Sequence, residues 1–420
     1  MTARAAGYAG ERRPGRRAWR RQLPVSSPVS WAALAGGLHA ALRGGRARRD
    51  RDALVASLAG RFGAAAALLT DSGTSALALA ISGALRGRSD TPVAVPAFAC
   101  YDVATAAAAA GVPALLYDVE PRSLTPDLAS VGRALRQGAG AVVVAHLYGY
   151  PGDLGDVIRM AREAGAVVIE DAAQADGATV RGSLAGTQAH FGVLSFGRGK
   201  GWTGGGGGAL LAFDGPGADL VDRARAELRR ARPGWGALAA LGGQHLLARP
   251  GFYALPAALP FLRLGETVYR APHAPRGLAR ASAGILTRTR PLADAELVVR
   301  RRNAERLSRA LRGDARSGLQ TINPQPSANP SYLRLPVLAP AGNRRTVCDR
   351  RAARLGIAPS YPRPLGGLPA FAPRCGNAGE RFPGASDLAA RLCTLPTHGQ
   401  LTADDLEDIE TWIRSLGDRW

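Results

Sequence analysis

The sequence predicts an α/β fold, in which helices cover a mostly parallel central sheet and a smaller α+β domain follows. Helical and strand-like segments alternate from about Asp52, which is typical of a parallel sheet. The 420 residues, 46% hydrophobic and 21% charged, can form a large core and exclude extensive disorder and collagen-like or coiled-coil architectures. The pattern changes beyond Gly265, so a second domain is expected there.

Polar residues follow the apolar strands in the N-terminal half of the chain. Because the carboxyl ends of parallel strands lie on one edge of a sheet, these residues are expected to meet there. The segment T-D-S-G-T-S at 70–75 is rich in helix-capping residues and suits an anion at a helix N-terminus. In chain order we expect a helix at 54–62, a strand at 66–69, a helix at 76–85, a strand at 93–96, a helix at 103–110, strands at 114–117 and 141–145, a helix at 154–163, and strands at 166–171 and 192–196.

The C-terminal part predicts a smaller α+β unit, with a helix at 292–311, a strand at 332–338 and helices at 344–355 and 406–416. We expect three parts: a basic, disordered arm over 1–25, a large domain over 26–270 and a small domain over 271–420. The apolar segment 236–262 is interrupted by His245, Arg249 and three prolines. A buried or surface-docked pair of helices is therefore expected there rather than a membrane span.

Arginine dominates the charge of the chain. The formal net charge is +21, and 53 of the 54 basic residues are arginines, seven of them within the first 21 residues. We interpret this excess as compositional drift towards arginine, so nucleic acid is not an expected partner. Binding to nucleic acid or to an anionic membrane stays a competing hypothesis, which a steep loss of binding with salt would support.

The cysteines give no sign of a metal or disulfide site. Cys100, Cys348, Cys375 and Cys393 lie far apart and form no C-x-x-C pair. We therefore expect no metal, and a cytoplasmic location. No run of 18 uncharged apolar residues occurs in the sequence, so no transmembrane helix is expected.

Lys200 is the single lysine of the chain and lies between glycines, directly after a predicted strand. Arginine replaces lysine wherever only positive charge is needed, but it stays protonated and cannot act as a neutral amine nucleophile. Glycines beside the lysine would allow backbone and cofactor to approach closely. The alternative is a surface lysine that escaped the drift. The position favours an amine that forms a Schiff base.

A Schiff-base lysine in an α/β fold suggests pyridoxal phosphate, which needs three further features. A carboxylate must face its ring nitrogen, and Asp171 at the end of a buried strand suits that role. An anion site must hold its phosphate, and Gly73, Thr74 and Ser75 at a helix start, with the Ser195 hydroxyl, suit that role. A flat or apolar surface must cover its ring, and residues 98–101 are candidates.

Five motifs occur in order along the chain: S-G-T-S-A-L at 72–77, V-P-A-F at 95–98, H-L-Y-G at 146–149, E-D-A-A-Q-A at 170–175, and S-F-G-R-G-K at 195–200 before a glycine run. Together they resemble the DegT-type sugar-nucleotide aminotransferase family, pyridoxal-phosphate enzymes of fold type I. The resemblance covers about 54–413. It implies that Lys200 carries the internal aldimine, that Asp171 contacts the pyridine nitrogen, and that Gln174 lies near the ring hydroxyl. It also implies that the large domain binds the cofactor and that Thr74 and Ser195 hold the phosphate, with Ser75 as a further candidate.

The resemblance further implies a ping-pong transamination. An amino donor, expected to be glutamate, would load the cofactor, and a keto-sugar nucleotide or similar keto substrate would receive the amino group, with Lys200 moving the proton. Related dehydratases have histidine in place of this lysine, so Lys200 favours the aminotransferase. A homodimer is expected, because fold type I sites are completed across the subunit interface. The alternative is a catalytically silent paralogue with a binding or regulatory role.

Some positions depart from the family pattern. Cys100 stands where an aromatic residue commonly covers the cofactor ring, with Tyr101 next to it, and either residue could cover the ring. The usual G-E-G-G reads as four glycines at 205–208, and Asp176 stands where histidine is frequent. Residues 231–270 differ from the sugar enzymes of the family, so the acceptor could be unusual. His146 is expected to be structural, and no chemistry is assigned to His398 or Tyr361.

Overall fold

The structure is a computed structural model that describes residues 20–85, 87–247 and 268–418. Its strands are β1 (Ala66–Thr70), β2 (Val93–Pro96), β3 (Ala114–Tyr117), β4 (Ala141–Ala145), β5 (Val167–Asp171), β6 (Thr179–Val180), β7 (Ser183–Leu184), β8 (Phe191–Ser195), β9 (Gly208–Ala212), β10 (Gln320–Thr321), β11 (Ala328–Asn329), β12 (Leu335–Leu338), β13 (Ala358–Pro359) and β14 (Leu392–Leu395).

The α-helices within the described residues cover the sheets and link them. They are α1 (Trp31–Leu42), α2 (Gly44–Phe62), α3 (Gly73–Leu85), α4 (Tyr101–Ala110), α5 (Leu128–Arg136), α6 (Gly155–Glu163), α7 (Gly215–Glu227), α8 (Trp235–Leu247), α9 (Arg280–Arg312), α10 (Arg344–Val347), α11 (Arg350–Arg354), α12 (Pro383–Arg391) and α13 (Ala403–Leu416). The predicted α/β fold is confirmed.

The central sheet of the described chain has seven strands in the order β1-β9-β8-β5-β4-β2-β3. The five strands from β8 to β3 are parallel, whereas β9 runs antiparallel to both β8 and β1. These strands are almost wholly buried, because helices cover both faces of the sheet. The first residue of β9, Gly208, pairs with the last residues of β1 and β8, Thr70 and Ser195. This edge of the sheet therefore gathers the segments that follow β1, β2, β5 and β8.

A second, antiparallel sheet with the order β10-β12-β14-β13 forms the C-terminal part. Its core includes Leu307 and Leu311 of α9, Val337 of β12 and the fully buried Trp412 of α13. The helix α9 is 33 residues long, and it packs on α1 and α2 as well as on α13. It is therefore part of both halves of the molecule, and the predicted domain limits stay predictions.

Three predicted helices have clearly different limits in the structure. The helix expected at 54–62 begins at Gly44, because Ala47 and Asp50 before the predicted start are also buried. The helix expected at 292–311 begins at Arg280 and runs through Pro291, because Ala283, Ile285 and Leu286 before the proline are buried against neighbouring elements. The helix expected at 344–355 is divided into α10 and α11. The Asp349 side chain accepts a hydrogen bond from Ala352 N (2.8 Å) and begins the second of them.

The residues that precede α1 contact segments from distant parts of the chain. The expectation of a disordered arm concerns 1–25, of which 1–19 lie outside the described residues. Gln22 N donates to Arg354 O (2.8 Å), and the ring of His398 contacts Leu23 O through Nε2 (2.8 Å). Ser27 Oγ donates to Lys200 O (2.7 Å). We call residues 22–27 the N-terminal strap, because they connect the C-terminal part with the Lys200 loop.

The apolar segment expected to form a helical pair begins with α8, and its residues 248–262 lie outside the described part of the chain. Among the residues that the structure describes, no helix is long and apolar enough to span a membrane.

Candidate active site

A cavity that is partly open to solvent lies at the carboxyl edge of the central sheet, where ligands bind in open parallel sheets. The structure brings seven of the nine predicted site residues to its wall: Gly73, Thr74, Cys100, Asp171, Gln174, Ser195 and Lys200. The other two, Ser75 and Tyr101, do not line it. The described residues contain no group of His, Cys, Asp or Glu side chains suited to hold a metal ion.

Asp171 ends β5 and carries the carboxylate of the cavity wall nearest the centre of the sheet. Its Oδ1 accepts a hydrogen bond from Ala173 N (2.9 Å). Burial raises the pKa of Asp171 above its ordinary value, and the Ala173 N–H and the Lys200 charge oppose this shift only in part. A cationic partner in the cavity would offset the cost of this buried charge.

Lys200 lies in the loop that leaves β8. Lys200 N donates to Gly197 O (3.3 Å) to close a turn, while Gly199 has a left-handed φ of 74°. A Cβ on Gly201 would lie 2.8 Å from the Cβ of Asp176, so a larger residue does not fit there. The glycines around the lysine thus allow a tight loop that directs its side chain to the cavity.

An anion site lies at the N-terminus of α3. The first intrahelical hydrogen bond runs from Ala76 N to Ser72 O, so the N–H groups of Gly73 and Thr74 have no such partner. A Cβ on Gly73 would lie 2.8 Å from the Cβ of Ser195, so glycine is required for the Ser195 hydroxyl to approach the helix start. The site combines backbone donors, a hydroxyl and the positive end of a helix dipole.

Ser75 does not face the cavity but forms hydrogen bonds with Ser72 at the start of α3. Its backbone N donates to Ser72 Oγ (3.0 Å), and the Ser72 hydroxyl donates to Ser75 Oγ (3.0 Å). The Ser75 side chain is buried. The Ser72 hydroxyl therefore caps the helix, and the Ser75 hydroxyl accepts a hydrogen bond from it rather than lining the cavity.

Cys100 lines the cavity, whereas Tyr101 lies behind it. The Cys100 Sγ lies 3.7 Å from Asp102 Oδ2. Burial, with a smaller contribution from the Asp102 charge, raises the pKa of Cys100 to about 11, so this thiol is protonated at neutral pH. The ring of Tyr101 instead packs near Tyr361, with 6.1 Å between the ring centroids.

Gln174 is held on both sides. Its Oε1 accepts from Tyr148 N (3.0 Å), and its Nε2 donates to the Tyr361 hydroxyl (2.9 Å). Tyr361 comes from the C-terminal part, and its ring also lies near those of Phe98 and Tyr148. The orientation of Gln174 towards the cavity therefore depends on both halves of the molecule.

His146 and Glu170 form a buried pair beneath Asp171. His146 Nδ1 accepts from Gly152 N (3.3 Å), so Nε2 carries the proton and donates to Glu170 Oε1 (2.7 Å). Burial would raise the pKa of Glu170, but the hydrogen bonds from His146, Gly186 N and Gln188 N outweigh it and lower the pKa. This pair does not line the cavity.

Sequence reasoning missed several cavity residues: Leu77, Asp102, Val103 and Ala173. Asp102 is the informative one, because it adds a second carboxylate beside Cys100. Its position in the first turn of α4, directly after the predicted ring-covering segment, was the available signal. Tyr361 belongs to a distant segment, and local sequence gave no indication that it would reach Gln174.

Comparison with known proteins agrees with this arrangement. The model of the DegT/DnrJ/EryC1/StrS aminotransferase family matches residues 41–230 and 279–414. An L-glutamine:2-deoxy-scyllo-inosose aminotransferase from Streptomyces lividus is 32% identical over 299 residues, covering 69% of this chain and 64% of that protein. A dTDP-4-dehydro-2,3,6-trideoxy-D-glucose 4-aminotransferase from Saccharopolyspora spinosa is 35% identical over 155 residues, or 37% of this chain and 39% of that protein. The matched region thus spans less than two thirds of these curated relatives.

Solved structures share the fold over nearly the whole chain. The crystal structure of AtS13 from Actinomadura melliaura is 25% identical, with a TM-score of 0.73, and the match covers 95% of this chain and 100% of that one. The sugar aminotransferase CalS13 from Micromonospora echinospora is 24% identical, with a TM-score of 0.72, and the match covers 93% of this chain and 98% of that one.

Proposed function

Because the chain belongs to the DegT/DnrJ/EryC1/StrS aminotransferase family, we propose that it is a pyridoxal-phosphate-dependent aminotransferase acting on a keto group of a sugar or a similar polyhydroxylated ring. The observation that carries the proposal is the cavity shared by Lys200, the single lysine of the chain, and Asp171. An amine nucleophile and a buried carboxylate in one cavity are what this cofactor needs.

The residues present fit the cofactor. The N–H groups of Gly73 and Thr74 with the Ser195 hydroxyl suit its phosphate, because a Cβ at Gly73 would fill the space between them. Asp171 suits its ring nitrogen, since the raised pKa of this carboxylate reports a buried charge that a cationic partner would stabilise. When bound, pyridoxal phosphate supplies an electron sink for the carbon that loses its proton.

The residues of this chain orient the reactants and move a proton. Asp171 would hold its charge towards the ring nitrogen of the bound cofactor, and Gln174, fixed by Tyr148 N and Tyr361, lines the same cavity. The Lys200 amine would take the proton from the donor carbon and deliver it to the carbon of the bound cofactor that holds the amino nitrogen, which is the 1,3-shift of a transamination. The Cys100 thiol, protonated because its pKa is about 11, acts as a neutral wall rather than as a nucleophile.

The acceptor class follows from relatives whose names state their substrates. Those names specify an inosose, a dTDP-linked dehydro sugar and a UDP-linked dehydro sugar, which all carry a keto group. We infer a keto-sugar nucleotide as the acceptor of this chain, with Asp102 available to accept hydrogen bonds from ring hydroxyls. We infer glutamate as the amino donor, although several relatives are named for glutamine.

We also infer a homodimer, as expected for fold type I enzymes. Light scattering of the full chain should give the mass of two chains. A monomer that catalyses both half-reactions would contradict this inference.

The donor half-reaction tests the proposed function before any acceptor is known. Purified protein would be loaded with pyridoxal phosphate and mixed with glutamate or glutamine, and released 2-oxo acid and pyridoxamine phosphate would be quantified. We expect conversion by the wild type and the Arg198→Ala variant, and a loss on the order of 1,000-fold in Lys200→Ala. Arg198 is an exposed residue of the same loop and serves as the control. Cofactor binding without conversion would instead support the silent-paralogue alternative.

A further inference from the structure

Exposed hydrophobic side chains are concentrated on one surface of the protein. Nine large hydrophobic residues of the described chain are exposed, and six of them lie on the two helices α1 and α8. Their exposed fractions range from 43% to 66%. We call this surface the α1/α8 face, and it consists of Trp31, Leu38, Leu42, Trp235, Leu246 and Leu247.

The two helices form one continuous surface. The ring of Trp31, at the start of α1, lies 4.6 Å from that of His245, near the end of α8. The end of α1 and the start of α8 both lie near Arg280, whose N donates to Arg232 O (3.0 Å) and whose Nη1 lies near Gly44. The helices therefore run antiparallel and side by side.

Neither helix has the composition of an ordinary solvent-facing helix. W-A-A-L-A-G-G-L-H-A-A-L and W-G-A-L-A-A-L-G-G-Q-H-L-L contain no Asp, Glu, Lys or Arg. In α1 the exposed positions Trp31, Ala35, Leu38 and Leu42 recur every three or four residues on one side. A helix that is apolar all round needs an apolar partner on its outer side.

Arginines border one end of the α1/α8 face. Arg43, Arg46, Arg48 and Arg49 follow α1 and are exposed, and Arg229, Arg230 and Arg232 precede α8 and are exposed too. Burial, together with the positive charges of Arg48 and Arg280, lowers the pKa of Arg51 in the same region. The nearby acids Asp50 and Asp52 are too few to balance this charge.

We propose that the α1/α8 face binds the surface of an anionic lipid bilayer. Trp and Leu side chains insert at the boundary between headgroups and acyl chains, and arginines beside them pair with anionic headgroups. A nucleic acid would use the arginines but not the apolar side chains.

A second copy of the chain is a less suitable occupant. The protein carries a net charge of +21, which opposes self-association through a face bordered by arginine. The family match begins at residue 41 and omits 231–278, so both helices lie almost wholly outside it. An interface common to the family would be expected on matched residues instead.

Vesicle co-flotation of the full-length, cofactor-loaded protein tests the proposal. Vesicles of phosphatidylcholine alone would be compared with vesicles that contain a third phosphatidylglycerol. The basic variant is Arg43→Gln/Arg48→Gln/Arg232→Gln, and the apolar variant is Leu38→Gln/Leu42→Gln/Leu246→Gln. The control variant carries changes of both kinds on α5, one Leu→Gln and two Arg→Gln, at the exposed Leu128, Arg133 and Arg136.

We expect the wild type and the control to float with anionic vesicles and not with neutral ones. Each arginine near an anionic surface contributes about fivefold in partitioning, so the basic variant should bind about 100-fold more weakly. The apolar variant should lose about tenfold or more at unchanged charge. None of these residues lines the cavity, so the donor half-reaction should be unchanged in every variant and serves as the test of folding. The basic variant keeps the proposal testable if the apolar variant fails to fold.

Three outcomes would overturn the proposal: no flotation of the wild type, equal flotation with neutral vesicles, or equal losses in the α5 control. Light scattering tests the alternative occupant, which is a second copy of the chain. If the apolar variant has half the mass of the wild type while the wild type ignores vesicles, the face is an interface between two copies.

Discussion

At the scale of single residues, the anion site depends on one missing methyl group. Gly73 begins α3 where a Cβ would lie 2.8 Å from the Cβ and 3.1 Å from the Oγ of Ser195. Because β9 packs directly against the backbone of Gly73, that backbone cannot shift. The side chain of Ser195 would therefore have to move to make room for the Cβ. The hydroxyl that we assign to the phosphate would then leave its position.

Gly73→Ala should therefore weaken pyridoxal phosphate binding by about tenfold or more, the equivalent of one charge-assisted hydrogen bond. The measurement is the dissociation constant of the cofactor from spectroscopic titration of the apoprotein. Gly206→Ala is the matched control, because a Cβ there meets nothing closer than Asp71 O at 4.0 Å. Equal cofactor affinities in the two variants would show that Gly73 does not form part of the phosphate site.

His398 connects the N-terminal strap to the C-terminal part and is held neutral. Its Nε2–H donates to Leu23 O (2.8 Å). Burial lowers the pKa of His398 from 6.5 to about 4, and although the Leu23 hydrogen bond opposes this shift, the nearby Arg300 charge adds to it. The unfolded chain binds this proton near pH 6.5, whereas the folded protein does not. Stability is therefore lost as the pH falls from about 6.5 to 4.

Replacement of His398 by Gln, which keeps an N–H donor, should remove this loss. Between pH 7 and pH 5 the wild-type apoprotein should lose about 2 kcal/mol more free energy of unfolding than His398→Gln. Urea titrations of both proteins at the two pH values give the comparison. Equal losses of the free energy of unfolding in the two proteins would show that His398 is not the buried neutral group.

At the scale of elements, α1 and α9 cross where both carry glycine. A Cβ on Gly284 would lie 2.5 Å from Gly36 O and 2.8 Å from the Cβ of Ala40. A Cβ on Gly37 would overlap Ile285 in the same way. The close approach of the two helices therefore depends on small residues in both. This contact connects the helix that carries the α1/α8 face to the rest of the protein.

Gly284→Ala should consequently destabilise the protein by about 1–3 kcal/mol, because the added methyl group separates the helices. Gly60→Ala is a control of opposite sign. A Cβ there meets nothing within 4 Å in α2, and the better helix propensity should add about 1 kcal/mol. Urea unfolding of both variants measures the two changes in the free energy of unfolding. If Gly284→Ala were stabilising, the close contact between α1 and α9 at this glycine would be contradicted.

The N-terminal strap shows how an element can join distant segments. It contacts Arg354 and His398 at one end and the carbonyl of Lys200 at the other. Residues 22–25 of the strap belong to the segment that the sequence assigned to a basic arm over 1–25, because the many arginines that precede them dominate the local composition over the apolar Leu23 and Val25. Its contacts are long-range, and no local pattern predicts them.

At the scale of the whole molecule, the sequence predicted the parallel strands well, because each is a short buried apolar run between capping residues. It missed β9, where the glycines at 204–208 give no strand signal before the apolar residues begin. It also began α9 too late, because a proline outweighs helical periodicity in a local reading. Tertiary burial of the residues before Pro291 reverses that preference.

The candidate site was predictable to the extent that its residues follow strands. Asp171, Ser195 and Lys200 end or follow neighbouring strands, so the parallel topology alone places them together. Ser75 and Tyr101 were expected in the site from adjacent positions, but in a helix adjacent residues point in different directions. Tyr361 reaches Gln174 only through the packing of the C-terminal part, which sequence spacing does not specify.

The most direct test of Lys200 as the residue that binds the cofactor is reductive trapping. The protein would be mixed with pyridoxal phosphate, reduced with borohydride, digested and mapped by mass spectrometry. Because the chain contains one lysine, we expect one pyridoxyl group per chain, on Lys200, and no such group in Lys200→Arg. A label on the N-terminal amine alone, or no label at all, would contradict this expectation.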